Sequence, residues 1–148
     1  MSSAHSLSSA AAVSTRPARD SSFLFLRRAL AADAIVSGAV GLLMIAGAGL
    51  LSTLLGLDRA LLFEGGLVLV PFVAFVGWLA TREQPARGAV SMVIAANILW
   101  ALLCAGVWFA SATGAGAPAT LLGEAFIALH IVTVLVFAAL EFVGLRRA

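Results

Sequence analysis

A small set of polar and aromatic side chains interrupts the long apolar stretches of this 148-residue chain, and these are the residues whose types could carry chemistry. Ionisable groups deep in a bilayer cost about 2.5 to 3.5 kcal/mol on insertion scales, so they usually face a bundle interior and have partners there. The candidate intramembrane polar site therefore comprises Asp33, Glu64, Asn97, Trp100, Glu124, His130 and Glu141.

The acidic residues of this set fall near the ends of apolar stretches, on two different sides. Asp33 and Glu141 lie on the side that carries most of the arginines, and we expect salt bridges to anchor them there. Glu64 and Glu124 lie on the opposite side, where Arg59 is the only nearby cation, so these two acids are less fully balanced. The cations available to the first pair are Arg27, Arg28, Arg82, Arg146 and Arg147.

Asn97 and His130 form a middle layer, since each lies within about 6 Å of the midpoint of its apolar stretch at a rise of 1.5 Å per residue. Antiparallel neighbouring helices would bring these depths together, and we expect a hydrogen bond between the two side chains. At about 100° per residue, His130 and Glu141 share one stripe of their helix, while Glu124 points roughly 120° away. His130 is either a neutral imidazole bonded to Asn97, Thr133 or a backbone carbonyl, or a titrating relay group.

Trp100 lies too deep for the aromatic belts that form at membrane surfaces, where Trp78 and Trp108 fall. It either fills space in the bundle or lines a ligand pocket. Small residues are dense in the first apolar stretch, and four-residue spacing lets another helix approach them closely. The partner helix is either in the same chain or in a second copy. The small residues concerned are Ala34, Ser37, Gly38 and Gly41.

Several kinds of chemistry are not indicated. Cys104 is the only cysteine, so there is no internal disulfide and no paired-cysteine metal or redox motif. The acids and His130 lack the clustered spacing of a metal site, and a haem would require a second histidine in the bundle. No nucleophile motif, phosphate-binding loop or dinucleotide glycine pattern occurs. We therefore expect no catalysis, no metal, no cofactor and no nucleic-acid partner.

The elements that position these residues follow from composition. The chain is 62% hydrophobic and only 11% charged, too few charges to cover a soluble surface. Hydropathy and turn residues predict an all-α, four-helix up-down-up-down membrane bundle at residues 23–148, with spans at 29–55, 60–80, 89–112 and 120–143. Residues 1–22, rich in Ser and Ala, are expected to form a disordered cytoplasmic tail. Residues 23–28 either lie as a short helix at the interface or extend the first span.

Orientation follows from the nine cationic side chains, all of them arginine. Cytoplasmic flanks of spans hold an excess of such residues. With four spans, all but Arg59 fall on one side, which predicts that both termini lie in the cytoplasm. The stretch from Asp33 to Leu57, in this layout of four spans, resembles small uncharacterised four-span proteins of the bacterial inner membrane. That resemblance covers residues 29–148 and implies the location but no activity or site.

Two kinds of function remain open. The first is a non-enzymatic bundle with a structural or accessory role, binding lipid or partner subunits, as a homo-oligomer or part of a larger membrane complex. The second is an oligomeric small transporter or channel, coupled to protons or cations through its intramembrane acids and His130. A water-lined cavity that touches His130 and a carboxylate would favour the second, and a dry, fully packed interior the first.

Overall fold

Four helices make up the part of the chain that the computed structural model describes, which is the backbone of residues 3–148 and the side chains of residues 21–148. They are α1 (Ser3–Leu55), α2 (Arg59–Ala80), α3 (Arg87–Thr113) and α4 (Leu121–Arg147). Ser21–Leu55 of α1 and each of the other three are long and apolar enough to cross a membrane. The predicted all-α chain with four candidate spans is confirmed. A disordered tail was expected at residues 1–22. The backbone of residues 3–22 belongs to α1, and the side chains up to Asp20 lie outside the described residues.

Local sequence explains where the helices begin and turn. The Asp58 side chain accepts a hydrogen bond from the Leu61 amide (2.9 Å) and caps the start of α2, and Thr120 does the same for Gly123 (3.1 Å) at the start of α4. Gly56 has a φ of +69°, a conformation that side chains disfavour, in the turn between α1 and α2. Residues 23–28 continue α1 without a break, so they extend the first span.

Glycines bring α1 and α2 into close contact. A Cβ atom added to Gly66 of α2 would lie 2.8 Å from the Gly41 carbonyl oxygen of α1, and one added to Gly41 would lie 3.1 Å from Leu69 Cβ. Gly38 faces Val73 of α2 at a similarly short range. The small-residue face of the first span therefore packs against α2 of the same chain.

The helices pack in the order α2, α1, α4, α3, because α1 contacts both α2 and α4 and α3 packs on α4. The α2 and α3 helices hardly touch, which leaves a groove between them. Large apolar side chains elsewhere on the helices point outward, as expected where lipid is the solvent. They include Ile35, Leu50, Met92, Leu102, Phe109 and Leu129.

Two apolar cores lie at different heights in the bundle. The core that we call the arginine-side core lies near the connection between α2 and α3 and is formed by Leu26, Leu30, Ala34, Val76, Leu79, Val90, Val93 and Leu145. The far core lies near the turn between α1 and α2 and is formed by Met44, Ala48, Leu55, Leu57, Leu62, Leu69 and Ile127. Four buried polar residues belong to neither core and lie between the two: Asp33, Ser37, Asn97 and Glu141.

Candidate intramembrane polar site

A cluster of four polar side chains, which we call the polar layer, joins three helices between the two apolar cores. Asp33 and Ser37 come from α1, Asn97 from α3 and Glu141 from α4. Asn97 Nδ2 donates to Asp33 Oδ2 (2.9 Å) and, at a longer distance, to Glu141 Oε2 (3.4 Å). Ser37 Oγ donates to Asp33 Oδ1 (2.7 Å). One amide nitrogen thus holds two carboxyl groups from different helices side by side.

The side chains of the polar layer are buried within the protein. Asp33 and Glu141 are 0% exposed and Asn97 is 2% exposed. Glu141 Oε1 is buried and has no hydrogen-bond partner among the described residues. A buried polar atom left unpaired costs about 1 to 3 kcal/mol, and more when charged. Such an atom is uncommon in a stable fold and marks this position for a functional explanation.

The expected salt bridges of Asp33 and Glu141 are wrong: in residues 21–148 neither carboxyl group has an arginine within ion-pair distance. The arginines bind backbone carbonyls instead. Arg27 Nε donates to the Ala80 oxygen (3.0 Å) at the end of α2, and Arg87 Nη1 donates to the Leu145 oxygen (2.9 Å) near the end of α4. These carbonyls have no partner within their own helices, and they carry the negative end of the helix dipole, so they compete well for guanidinium groups.

The expected hydrogen bond between Asn97 and His130 is also wrong, because Asn97 points to Asp33 and Glu141. His130 instead lies between two aromatic rings, with its centroid 5.6 Å from that of Phe126 and 6.2 Å from that of Trp100. His130 is half-buried and faces the groove.

Trp100 bridges the gap between α2 and α3. It is the central residue of α3, and its six-membered ring reaches towards Gly65 of α2, where an added Cβ would lie 3.6 Å from Cη2. Its indole nitrogen is buried and has no partner within the described part of the chain. The indole therefore both fills space and lines a pocket, so the two interpretations of this residue do not exclude each other.

The groove consists of two adjoining cavities that share Val68, Trp100, Leu103 and His130. The larger, about 320 Å³, extends from Trp100 towards Glu64 and the far core. The smaller, about 180 Å³, extends from Trp100 towards Ser37 and Asn97 of the polar layer. Ligand pockets in proteins usually measure about 300 to 1,000 Å³ and are mostly apolar with a few polar groups, as this groove is.

Glu64 and Glu124 lie apart from the polar layer. Glu64 is exposed and lines the far end of the groove, whereas Glu124 is half-buried in the first turn of α4. The free thiol of Cys104 is half-buried in the same groove wall. Among residues 21–148, no group of three or more acidic, histidine or cysteine side chains could hold a metal ion.

Sequence reasoning missed Ser37 as a member of the site, because its spacing with Gly41 assigned it to the small-residue face of α1. It belongs to both, since it lies one helical turn after Asp33 and its hydroxyl can bond back to that carboxylate. The four-residue spacing of an acid and a serine in an apolar helix was the available signal.

Comparison with known proteins adds no further assignment: no family model, curated protein or solved structure matches this chain.

Proposed function

We propose that this chain is a non-enzymatic, multi-pass protein of the bacterial inner membrane that binds an apolar molecule of the bilayer in the groove between α2 and α3. The observation that carries the proposal is the groove itself, about 320 Å³ at its larger cavity and open between two helices that hardly touch. Lipid tails surround this opening in a membrane, so an elongated apolar molecule enters without crossing water. Such binding suits an accessory subunit of a larger membrane complex or a homo-oligomer.

We further propose an up-down-up-down bundle with both termini in the cytoplasm. Contacts at each end support it: α1 and α4 meet through Leu26 and Gly144 at one end and through Leu55 and Thr120 at the other. Arg82, over the ring of Trp78 (4.2 Å), lies at the end that would face the cytoplasm. Arginines concentrate on cytoplasmic flanks, which supports this direction of insertion.

Photolabelling tests groove binding. Detergent-purified protein, washed free of bulk lipid, is mixed with stoichiometric palmitic acid that carries a diazirine and is then irradiated. We expect Val68 and Leu103 of the groove to be labelled in preference to Leu43 and Leu129, which are also exposed but lie elsewhere. Equal labelling of both pairs would contradict the proposal.

A matched pair of variants gives the control for that experiment. Ala96 lines the groove, whereas the adjacent Ala95 is exposed outside it. Ala96→Phe should weaken the preferential labelling, because the ring fills the smaller cavity, whose wall shares Val68 and Leu103 with the larger one, and Ala95→Phe should leave it intact.

A second candidate function is proton-coupled transport by an oligomer of the chain. The observation that favours it is the buried carboxyl pair of the polar layer, since ionisable groups inside a bundle commonly belong to ion or proton pathways. Proteoliposomes containing a pH-sensitive dye test it: flux driven by a pH gradient should fall in Asp33→Asn and His130→Ala and persist in Glu83→Gln, a change in the connection between α2 and α3. Wild-type flux no faster than that of empty liposomes would exclude this function.

A further inference from the structure

We propose that the carboxyl groups of Asp33 and Glu141 are bridged by a single proton, which makes the polar layer a proton-binding site reached from the groove. This inference is independent of the ligand of the groove and holds whether or not the chain transports anything.

The geometry of the pair requires a compensating positive charge. Both carboxyl groups accept from the same Asn97 nitrogen, and both side chains are 0% exposed. Two negative charges so close together in a low-dielectric interior repel strongly, and one proton shared between the carboxyl groups removes that repulsion. A proton on Glu141 also gives this side chain a donor with which to reach Asp33.

The donors in the polar layer favour a proton over a metal ion or other cation. Asn97 directs its NH₂ group at both carboxyl groups, and Ser37 directs its hydroxyl hydrogen at Asp33. A bound cation needs oxygen lone pairs turned towards it, and here N–H and O–H groups take those directions. Within the polar layer, Glu141 Oε1 is the one buried atom without a partner among the described residues, which leaves room for one proton and its hydrogen bond.

No other described charge faces the pair. On α1 the nearest are Arg27 and Arg28, and Arg27 is bonded to the Ala80 carbonyl. The only charged residues of α2 are Arg59 and Glu64, in its first two turns at the far end of the bundle, and the only one of α3 is Arg87, which is bonded to the Leu145 carbonyl. Apart from the pair itself, the remaining charged or titratable residues of these helices within residues 21–148 are Cys104 on α3 and Glu124, His130, Arg146 and Arg147 on α4.

Cavities approach the pair from the side away from the arginine-side core. Ser37 lines the smaller cavity of the groove and two further cavities, one between α1 and α2 and one between α1 and α4, and of these three only the groove also reaches Asn97. The arginine-side core, which includes Leu26, Leu30 and Val93, covers one side with aliphatic groups that offer no hydrogen bond. On the other side, Ser37 and Asn97 line the smaller cavity of the groove and also bond to Asp33. Polar groups continue along the groove through His130 to Glu64 at its exposed end. A proton therefore exchanges through the groove.

Infrared spectroscopy of the protein in lipid nanodiscs tests the shared proton. At neutral pH the wild type should show the C=O stretch of a protonated carboxylic acid, which is distinct from the carboxylate bands. The band should be lost in the double variant Asp33→Asn/Glu141→Gln, whose amides keep the size and hydrogen-bonding capacity of the originals. It should persist in Glu64→Gln and Glu124→Gln. Absence of the band from the wild type, or its survival in the double variant, would overturn the proposal.

The route is tested by the rate at which the same band shifts when H₂O is replaced by D₂O. Ala96→Leu narrows the smaller cavity and should slow this exchange, whereas Ala95→Leu, on the neighbouring lipid-facing position, should exchange at the wild-type rate. Equal rates in the two variants would contradict access through the groove, while the amide band of each spectrum reports whether its helices are intact.

Discussion

Asn97 holds the centre of the bundle together because it is the one residue of α3 that bonds to both α1 and α4. Its side chain has two donor hydrogens and a carbonyl oxygen, and the two carboxyl oxygens that it contacts cannot donate to each other without a proton. Removing the amide would leave Asp33 and Glu141 buried without their common donor. A half-satisfied polar network is less stable than an apolar one, so replacing Asn97 alone should destabilise the protein more than replacing Asn97, Asp33 and Glu141 together.

We therefore expect Asn97→Leu to destabilise the protein by about 1 to 3 kcal/mol, the cost of unpairing buried acceptors. The change is measured as a shift in the thermal unfolding midpoint in detergent, with size-exclusion chromatography monitoring the folded fraction. Adding Asp33→Leu and Glu141→Leu to the same chain should recover much of the loss, because the interior then contains only apolar groups at these positions. A single variant as stable as the wild type would contradict the role given to Asn97.

At the scale of the helices, packing depends on glycines at which another backbone passes close by. A Cβ atom at Gly123 of α4 would collide with the Leu55 carbonyl oxygen of α1, and one at Gly66 would meet the Gly41 carbonyl oxygen at 2.8 Å. These contacts fix how closely α1 approaches its two neighbours. They occur in the far half of the bundle, where the far core and the wider cavity of the groove also lie.

Gly66→Ala and Gly123→Ala should each destabilise the protein by about 1 to 3 kcal/mol, because overpacking forces the helix backbones apart. Gly49→Ala is the matched control, since nothing lies within 4 Å of a Cβ at that position. In that exposed helical position alanine should be neutral or stabilising by up to about 1 kcal/mol. Equal melting temperatures for all three variants would show that the close approach of these helices is unimportant.

Thr120 couples the start of α4 to the end of α1. Its hydroxyl group accepts from the Gly123 amide (3.1 Å) and donates to the Leu54 carbonyl oxygen (2.8 Å). We expect Thr120→Ala to lower stability by about 0.5 to 2 kcal/mol, and Thr120→Ser to retain most of it, because serine keeps the hydroxyl group that caps the helix. Thermal unfolding of the two variants measures the difference. A serine variant as unstable as the alanine variant would contradict the capping role.

Much of the fold, and less of the site, could be predicted from the sequence. The spans were predictable because apolar length and turn residues are local properties of the chain. The partners of Asp33 were not, because they depend on how far each helix is shifted along its neighbours. Distances counted from a span start at residue 29 placed Asp33 near the membrane surface and Asn97 in the middle layer. The apolar part of α1 begins at Ser21, so Asp33 lies deeper than predicted and meets Asn97.

At the scale of the whole molecule, the arginines and the carbonyls that they bind lie at one end of the bundle, around the connection between α2 and α3. We expect this end to face the cytoplasm. In a Cys104→Ala background, a membrane-impermeant maleimide should label Ala117→Cys in intact spheroplasts, because that exposed position follows α3 at the opposite end. Ala86→Cys should be labelled only after lysis. The reverse pattern would contradict both termini being cytoplasmic.

Because α2 and α3 hardly touch, we expect that the connection at 81–86 is not needed to hold the two halves of the bundle together. The two helices of each hairpin, α1 with α2 and α3 with α4, pack against each other. The hairpins contact one another through the surfaces of α1 and α4 and through the polar layer. A gene divided within that connection should yield two fragments that reassemble when they are co-expressed.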